Sequence, residues 1–112
     1  MKGTVVRVRC DISPSAHGCD QDGGTSFEGC GWYVDIRHAL DIYTRYCHMV
    51  SVPIVRVGQF VAAGQFLGRV GSSGHSSGPH LHFEVHLGDE SGDTAVDPVP
   101  FMVQQGAALA SA

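Results

Sequence analysis

Apolar and polar residues in this chain alternate in short runs, and no segment repeats them at helical spacing. Thr4-Val5-Val6-Arg7-Val8-Arg9 is rich in β-branched residues and is predicted to form a strand that enters at Gly3 and ends near Cys10. Residues 11–31 lack periodicity and are punctuated by Ser-Pro, Asp-Gly-Gly and Gly-Cys-Gly, which predicts a long loop. A loop of that length in a small domain is functional or pinned, and its cysteines are the expected pins. Trp32-Tyr33-Val34-Asp35-Ile36-Arg37 alternates, with Trp32, Val34 and Ile36 on the expected inner face. A short turn over residues 38–41 leads into Ile42-Tyr43-Thr44-Arg45-Tyr46-Cys47-His48, completing a hairpin in which Tyr46 and His48 share a face.

Residues 52–58 read as loop passing into a short strand. Val57-Gly58-Gln59-Phe60-Val61 is echoed by Ala63-Gly64-Gln65-Phe66-Leu67, a small repeat of glycine-turned strands. Residues 71–79, rich in glycine and serine, are expected to be a flexible loop that stops at Pro79. The next run, residues 80–86, alternates again: Leu81, Phe83 and Val85 on a core face, His80, His82, Glu84 and His86 on the other. Asp89 to Thr94 reads as another polar loop, Asp97-Pro98-Val99-Pro100 ends the ordered pattern, and residues 104–112 read as a flexible tail. The prediction is one all-β domain over residues 1–103, an antiparallel sheet with short loops and no substantial helix.

Composition narrows the function. The chain has 112 residues, which bounds it to one domain with a modest core. A net charge of −4 and the absence of a basic run argue against nucleic acid as a partner. No apolar run is long enough to span a membrane. Met1-Lys2-Gly3 leads straight into a strand and carries no signal-peptide pattern. Cys10, Cys19, Cys30 and Cys47 all lie in the first half. Four cysteines in a small, turn-rich chain suggest two disulfides and an oxidising compartment. A structural zinc site lacks the usual Cys-x2-Cys pairs, and free thiols are the third option. Three pairings are possible; Cys19–Cys30 would close the long loop, and Cys10–Cys30 would clasp the mouth of a hairpin.

Three imidazoles and a carboxylate on one strand face are a candidate site. Residues two apart on a strand are about 6.6–6.8 Å apart at Cα, so one imidazole can bind a metal while its neighbour reaches a metal-bound water or a substrate. Tyr46-x-His48-Met49, Gly58-x-x-Val61-x-x-Gly64-Gln65-x-x-Gly68, Gly71-x-x-Gly74-x-Ser76-x-Gly78-Pro79-His80-Leu81-His82-Phe83-Glu84-Val85 and Val96-Asp97-Pro98 follow one another in this order. In this the chain resembles the lysostaphin-like, LytM-type zinc metallopeptidases of family M23, over roughly residues 3–102. The glycine-spaced middle is also shared by lipoyl and biotinyl barrels. Those modules need a carrier lysine at a hairpin tip, whereas the only lysine here is Lys2.

The resemblance implies a barrel-sandwich-hybrid-like fold and a peptidase acting on stem or cross-bridge peptides of bacterial peptidoglycan, outside the cytoplasm or on a phage. It implies that His82 is a zinc ligand and that His48 and His80 are catalytic. It implies that Tyr46, His75 and Ser76 contact substrate, in a groove walled by residues 11–31 and 71–79. The family takes its other two zinc ligands from a His-x-x-x-Asp motif upstream of the strand matched by Thr4 to Arg9. His17-x-x-Asp20 has different spacing and follows that strand. The expectation is therefore a truncated form with an incomplete site, weak or absent zinc and little activity. The alternative is a degenerate module that binds cell wall or regulates a partner hydrolase. His38 is read as structural or surface, and His75 and His86 as rim or supporting residues. Without upstream strands, Thr4 to Arg9 would be an open sheet edge inviting self-association.

Overall fold

The computed structural model describes residues 2–107 and Leu109. Met1, and residues 108 and 110–112 of the expected tail, lie outside the described residues. Six strands form one antiparallel sheet: β1 (Gly3–Ser13), β2 (Glu28–His38), β3 (Ile42–Met49), β4 (Phe60–Val61), β5 (His82–Leu87) and β6 (Ala95–Val96). Their spatial order is β4-β1-β2-β3-β5-β6. The all-β expectation holds, with one seven-residue helix added, α1 (Pro98–Gln104). Its signal was local: Asp97 accepts a hydrogen bond from the Val99 amide at 3.0 Å, and Pro98 takes the first helical position, where its missing N–H costs nothing.

One sheet face buries Val5, Val34, Ile36, Met49, Val55 and Val61, with Val8, Trp32, Tyr46 and Leu67 packed against them. This is the face that alternation assigned to Trp32, Val34 and Ile36. The opposite face carries a row of alternating charge. Arg7 on β1 pairs in register with Asp35 on β2, Asp35 with Arg45 on β3, and Arg45 with Glu84 on β5. Asp35 is completely buried. Arg45 Nε and Nη2 donate to its two oxygens at 2.7 and 2.8 Å, and the guanidinium lies 4.9 Å from the Tyr33 ring centroid. Arg7 also meets Glu90 at 3.1 Å.

Several expectations need correction. β1 runs on to Ser13 and β2 starts at Glu28, so the long loop is shorter than expected and contains a 3-10 turn at Ser15–His17. β1 is not an open edge at its start. Gly3 and Thr4 pair with β4, and Val5 exchanges backbone bonds with Gln59 and Gly58. The disulfides are Cys10–Cys19 and Cys30–Cys47, neither of the two pairings singled out from sequence. The β1–β2 register places Cys10 opposite Trp32, which sets Cys30 two residues away from it; Cys30 instead lies 5.0 Å from Cys47 at Cα.

The glycine repeat is a repeat of turns. Gln59 N–H bonds the Arg56 carbonyl and Gln65 N–H the Ala62 carbonyl, with Gly58 and Gly64 at φ 91° and 81°, the third turn position that demands positive φ. In each turn the glutamine side chain also accepts from the first residue's amide. Only the first copy continues into a strand. β5 begins only at His82, so Leu81 stays 48% exposed, while Val85 is fully buried. His38 is buried rather than superficial: Nδ1 donates to the Lys2 carbonyl and Nε2 lies 2.8 Å from the Thr44 hydroxyl.

Candidate catalytic site

His48 closes β3 at a bulge. Trp32 pairs with Met49 but Val34 pairs with Tyr46, so Cys47 and His48 together face one residue of β2. Such a bulge re-aims a side chain. His48 sits there at φ 67°, an uncommon conformation for a residue with a side chain and one that clusters at functional sites. Its Nδ1 donates to the Ser73 carbonyl at 2.7 Å. This leaves Nε2 as the unprotonated nitrogen of the neutral ring. Burial lowers the His48 pKa, and the nearby His80, His82 and His75 push it the same way against the Ser73 carbonyl, so the neutral form persists below the usual range.

Residues 71–79 are not a flexible loop. Gly23 N–H bonds the Ser72 carbonyl at 2.9 Å, Gly24 N–H the Gly74 carbonyl at 3.1 Å, and His75 N–H the Gly29 carbonyl at 2.9 Å. Trp32 N–H donates to Ser73 Oγ at 3.1 Å. Gly31, at φ 65°, lies so close that a Cβ there would stand 2.5 Å from the Ser73 carbonyl carbon and oxygen. Glycine allows this approach, and the approach puts the Ser73 carbonyl on His48. Ser72, Ser73 and Ser76 are buried as a result.

His80 precedes β5 and bridges to Gly71. Its Nδ1 donates to the Gly78 carbonyl at 2.8 Å, with Ser76 Oγ at 3.3 Å. His82 opens β5 and gives its Nε2–H to Glu84 Oε2 at 2.7 Å. The ring of His48 lies 4.8 Å from that of His80 and 5.8 Å from that of His82. All three line a cleft of about 480 Å³ together with Thr25, Gly29 and His75 to Ser77. The Cys30–Cys47 disulfide reaches the same cleft through Cys30.

The other sequence candidates separate. His75 is exposed on the cleft rim but tied through Nδ1 to the Phe27 carbonyl at 2.8 Å. Ser76 Oγ is engaged within its own loop, with Ser72 Oγ and the Gly78 carbonyl. Tyr46 lines a separate apolar cavity of about 150 Å³ with Met49, Leu67 and Leu81. His86 is buried inside the sheet rather than at a rim. His17 packs on Phe27, and Asp20 accepts from the Trp32 indole at 2.8 Å; neither lines the cleft. Glu84 had no assigned role, although alternation had put it on the polar face beside His82.

A catalytic zinc needs three protein ligands and an open position. His82 offers one unpartnered ring nitrogen. Among the described residues, the one cluster of three donors within 4.8 Å of one another is Cys30, Cys47 and Glu84, and its two sulfurs are joined in a disulfide. These residues therefore suit one ligand and its imidazole neighbours, and do not by themselves close a zinc site.

The family model for peptidase family M23 matches residues 15–98. The chain is 44% identical over 55 residues to the peptidoglycan DD-endopeptidase ShyA of Vibrio cholerae serotype O1, covering 49% of this chain and 13% of that protein. It resembles the catalytic domain of the antimicrobial peptidase lysostaphin from Staphylococcus simulans, with a TM-score of 0.70 and 31% identity over 91% of this chain and 65% of that one. A zinc-containing peptidase from Vibrio cholerae aligns with a TM-score of 0.57 and 33% identity, over 75% of this chain and 21% of that one. The chain spans less than a fifth of the length of the first curated relatives it matches.

Proposed function

The chain belongs to peptidase family M23, and from that premise we propose that it carries an incomplete zinc endopeptidase site, one ligand and its catalytic histidines, for the peptide cross-links of bacterial peptidoglycan. One observation carries the reading. His48, His80 and His82 each commit one ring nitrogen to the protein and present the other at a common cleft.

His82 would hold zinc through the nitrogen that Glu84 leaves free. A zinc held there would supply Lewis-acid chemistry, polarising the scissile carbonyl and activating water. His48, kept neutral by burial, is the base that accepts a proton at Nε2. His80, with Nδ1 held by Gly78, orients its Nε2 for hydrogen bonding to the reacting peptide. His75 and Ser77 on the rim are the residues nearest an incoming peptide, and Ser76 acts by ordering His80. The remaining zinc ligands would have to come from outside these residues. Two disulfides and a wall substrate support an extracytoplasmic or phage-borne setting. No helix among the described residues is long and apolar enough to cross a membrane. The domain over residues 1–103 is the working unit. Among the described residues, none pairs through its backbone with the outer side of β1 beyond Val5, and that stretch is where a second chain would pair.

The test is cleavage of a glycine-rich cross-bridge peptide by the chain and by a longer form extended at its N-terminus with a segment that carries a His-x-x-x-Asp motif. Zinc-dependent cleavage by the longer form, abolished by His82→Ala, His48→Ala or His80→Ala, supports the reading. The chain alone is expected to bind zinc weakly and to show little or no cleavage. Equimolar zinc retained through dialysis, together with cleavage, would falsify that expectation. A second reading rests on the absence of three free converging donors among the described residues: a metal-free module that binds wall peptides or regulates a hydrolase. Binding of the longer form to purified peptidoglycan without zinc and without cleavage favours it.

A further inference from the structure

β5 places residues 82, 84 and 86 on one face, and Glu84 uses both oxygens there. Oε2 accepts from His82 Nε2 and Oε1 from His86 Nε2, each at 2.7 Å. The two imidazoles differ in surroundings. The His82 side chain is 47% exposed and faces the cleft, whereas that of His86 is 1% exposed. His86 Nδ1 is anchored 2.7 Å from the Ser91 carbonyl and 3.0 Å from the Thr94 hydroxyl. Thr94 Oγ1 in turn lies 2.7 Å from the Asp89 carbonyl and 2.8 Å from that of Ser91. Across the sheet, Glu84 faces Arg45, which is clamped through Nε and Nη2 to the fully buried Asp35. The carboxylate is thus held on its buried side by a histidine that is itself anchored, with Arg45 opposite it in register.

We propose that Glu84, anchored by His86, is a positioning residue that fixes the ring and tautomer of His82, so that the cleft is built from imidazoles of opposite tautomer. His48 and His80 give their Nδ1–H to backbone carbonyls and present Nε2. His82 gives its Nε2–H to a carboxylate and presents Nδ1. The reason is the backbone each residue has beside it. The first two lie against loop carbonyls, and His82 lies on a regular strand whose carbonyls belong to the sheet ladder, so only a side chain can orient it. A carboxylate behind a ligating imidazole also raises its basicity as a donor. This inference rests on reading His82 as a metal ligand, but its direct test reads the imidazole itself.

Long-range proton–nitrogen NMR on histidine-labelled protein at pH 8 distinguishes the tautomers. The expected pattern is Nε2–H at His82 and Nδ1–H at His48 and His80. In Glu84→Ala, His82 should populate both tautomers while His48 and His80 keep theirs. His86→Ala should loosen the His82 preference in the same direction with a smaller change. Should Glu84→Ala misfold, Glu84→Gln, which retains one acceptor oxygen, replaces it and should leave an intermediate preference. An Nδ1–H tautomer at His82 in the unmodified protein, or an unchanged His82 in folded Glu84→Ala, overturns the proposal. Zinc titration followed on the His82 resonances should be about 10- to 100-fold weaker in Glu84→Ala. A tautomer shift with unchanged zinc affinity upholds the positioning role and overturns the ligand role of His82.

Discussion

His82 reaches the cleft from a strand, and His48 and His80 reach it from a bulge and a loop. On the strand side, orientation comes from side chains in register: Arg7, Asp35, Arg45 and Glu84 cross four strands, and Glu84 holds His82. On the loop side it comes from backbone. The Ser73 and Gly78 carbonyls hold His48 and His80, and the loop carrying them is kept in place by its contact with Gly23, Gly24, Gly29 and Gly31. One half of the site depends on charge pairing, the other on close backbone approach. The two halves should therefore fail for different reasons.

The largest effect is expected on the strand side. Asp35→Ala leaves Arg45 half-buried without its carboxylate, and loss of one partner of a buried pair costs roughly 3–5 kcal/mol. Urea denaturation measures it. Replacing Asp35 and Arg45 together by apolar residues should recover most of the loss, and a double variant no better than Asp35→Ala would refute the pairing argument. Next, Cys30→Ser with Cys47→Ser opens the disulfide beside the cleft. A bridge of this span contributes about 3 kcal/mol in the chain-entropy account, and the same denaturation, compared with and without reductant, checks it.

The loop side breaks at Gly31→Ala. A methyl group there meets the Ser73 carbonyl and must adopt φ 65°. Strain of this kind costs on the order of 1–3 kcal/mol. The sharper readout is the His48 resonance, which should move with Ser73, while His82, held by Glu84, should not. Equal movement of both would erase the distinction between the halves.

The smallest effect is on pH. Burial lowers the pKa of His38 and of His48 below the ordinary imidazole value of 6.5. The unfolded chain therefore takes up these protons first as pH falls. The stability they confer is complete above about pH 6.5 and declines below it. Glu84 acts in a lower window. Its burial would raise its pKa, but hydrogen bonds from His86 and His82 outweigh that and hold it below 4.5, so its contribution is lost only as pH falls beneath that value. Denaturation midpoints measured from pH 8 to pH 3 should show two separate declines, and His38→Gln should flatten the first.

Much of the strand side was readable in advance. Alternation located β2, β3 and the face shared by His82, Glu84 and His86, because side-chain direction on a strand follows directly from position. α1 was not read: the pattern was expected to end at Asp97-Pro98-Val99-Pro100, where the structure starts a helix capped by Asp97. The loop side was not readable in the same way. Glycine and serine over residues 71–79 look flexible when nothing is known of what they touch, and only the approach of Gly23 and Gly31 shows that they are packed. Tyr46 shared a predicted face with His48, yet the bulge at Cys47 and His48 turned them into separate cavities.

By itself the amino-acid sequence determined the all-β class, the alternating histidine strand, the turn repeat at Gly58 and Gly64, and the M23 resemblance. All of these depend on residues within a few positions of one another, where backbone geometry links order to direction. Tertiary structure alone decided the Cys10–Cys19 and Cys30–Cys47 pairing, the left-handed His48 against Ser73, and the burial of His86 behind Glu84. Each of these turns on strand register or on contact between loops, and a shift of one residue in register would turn every side chain of the strand to the opposite face.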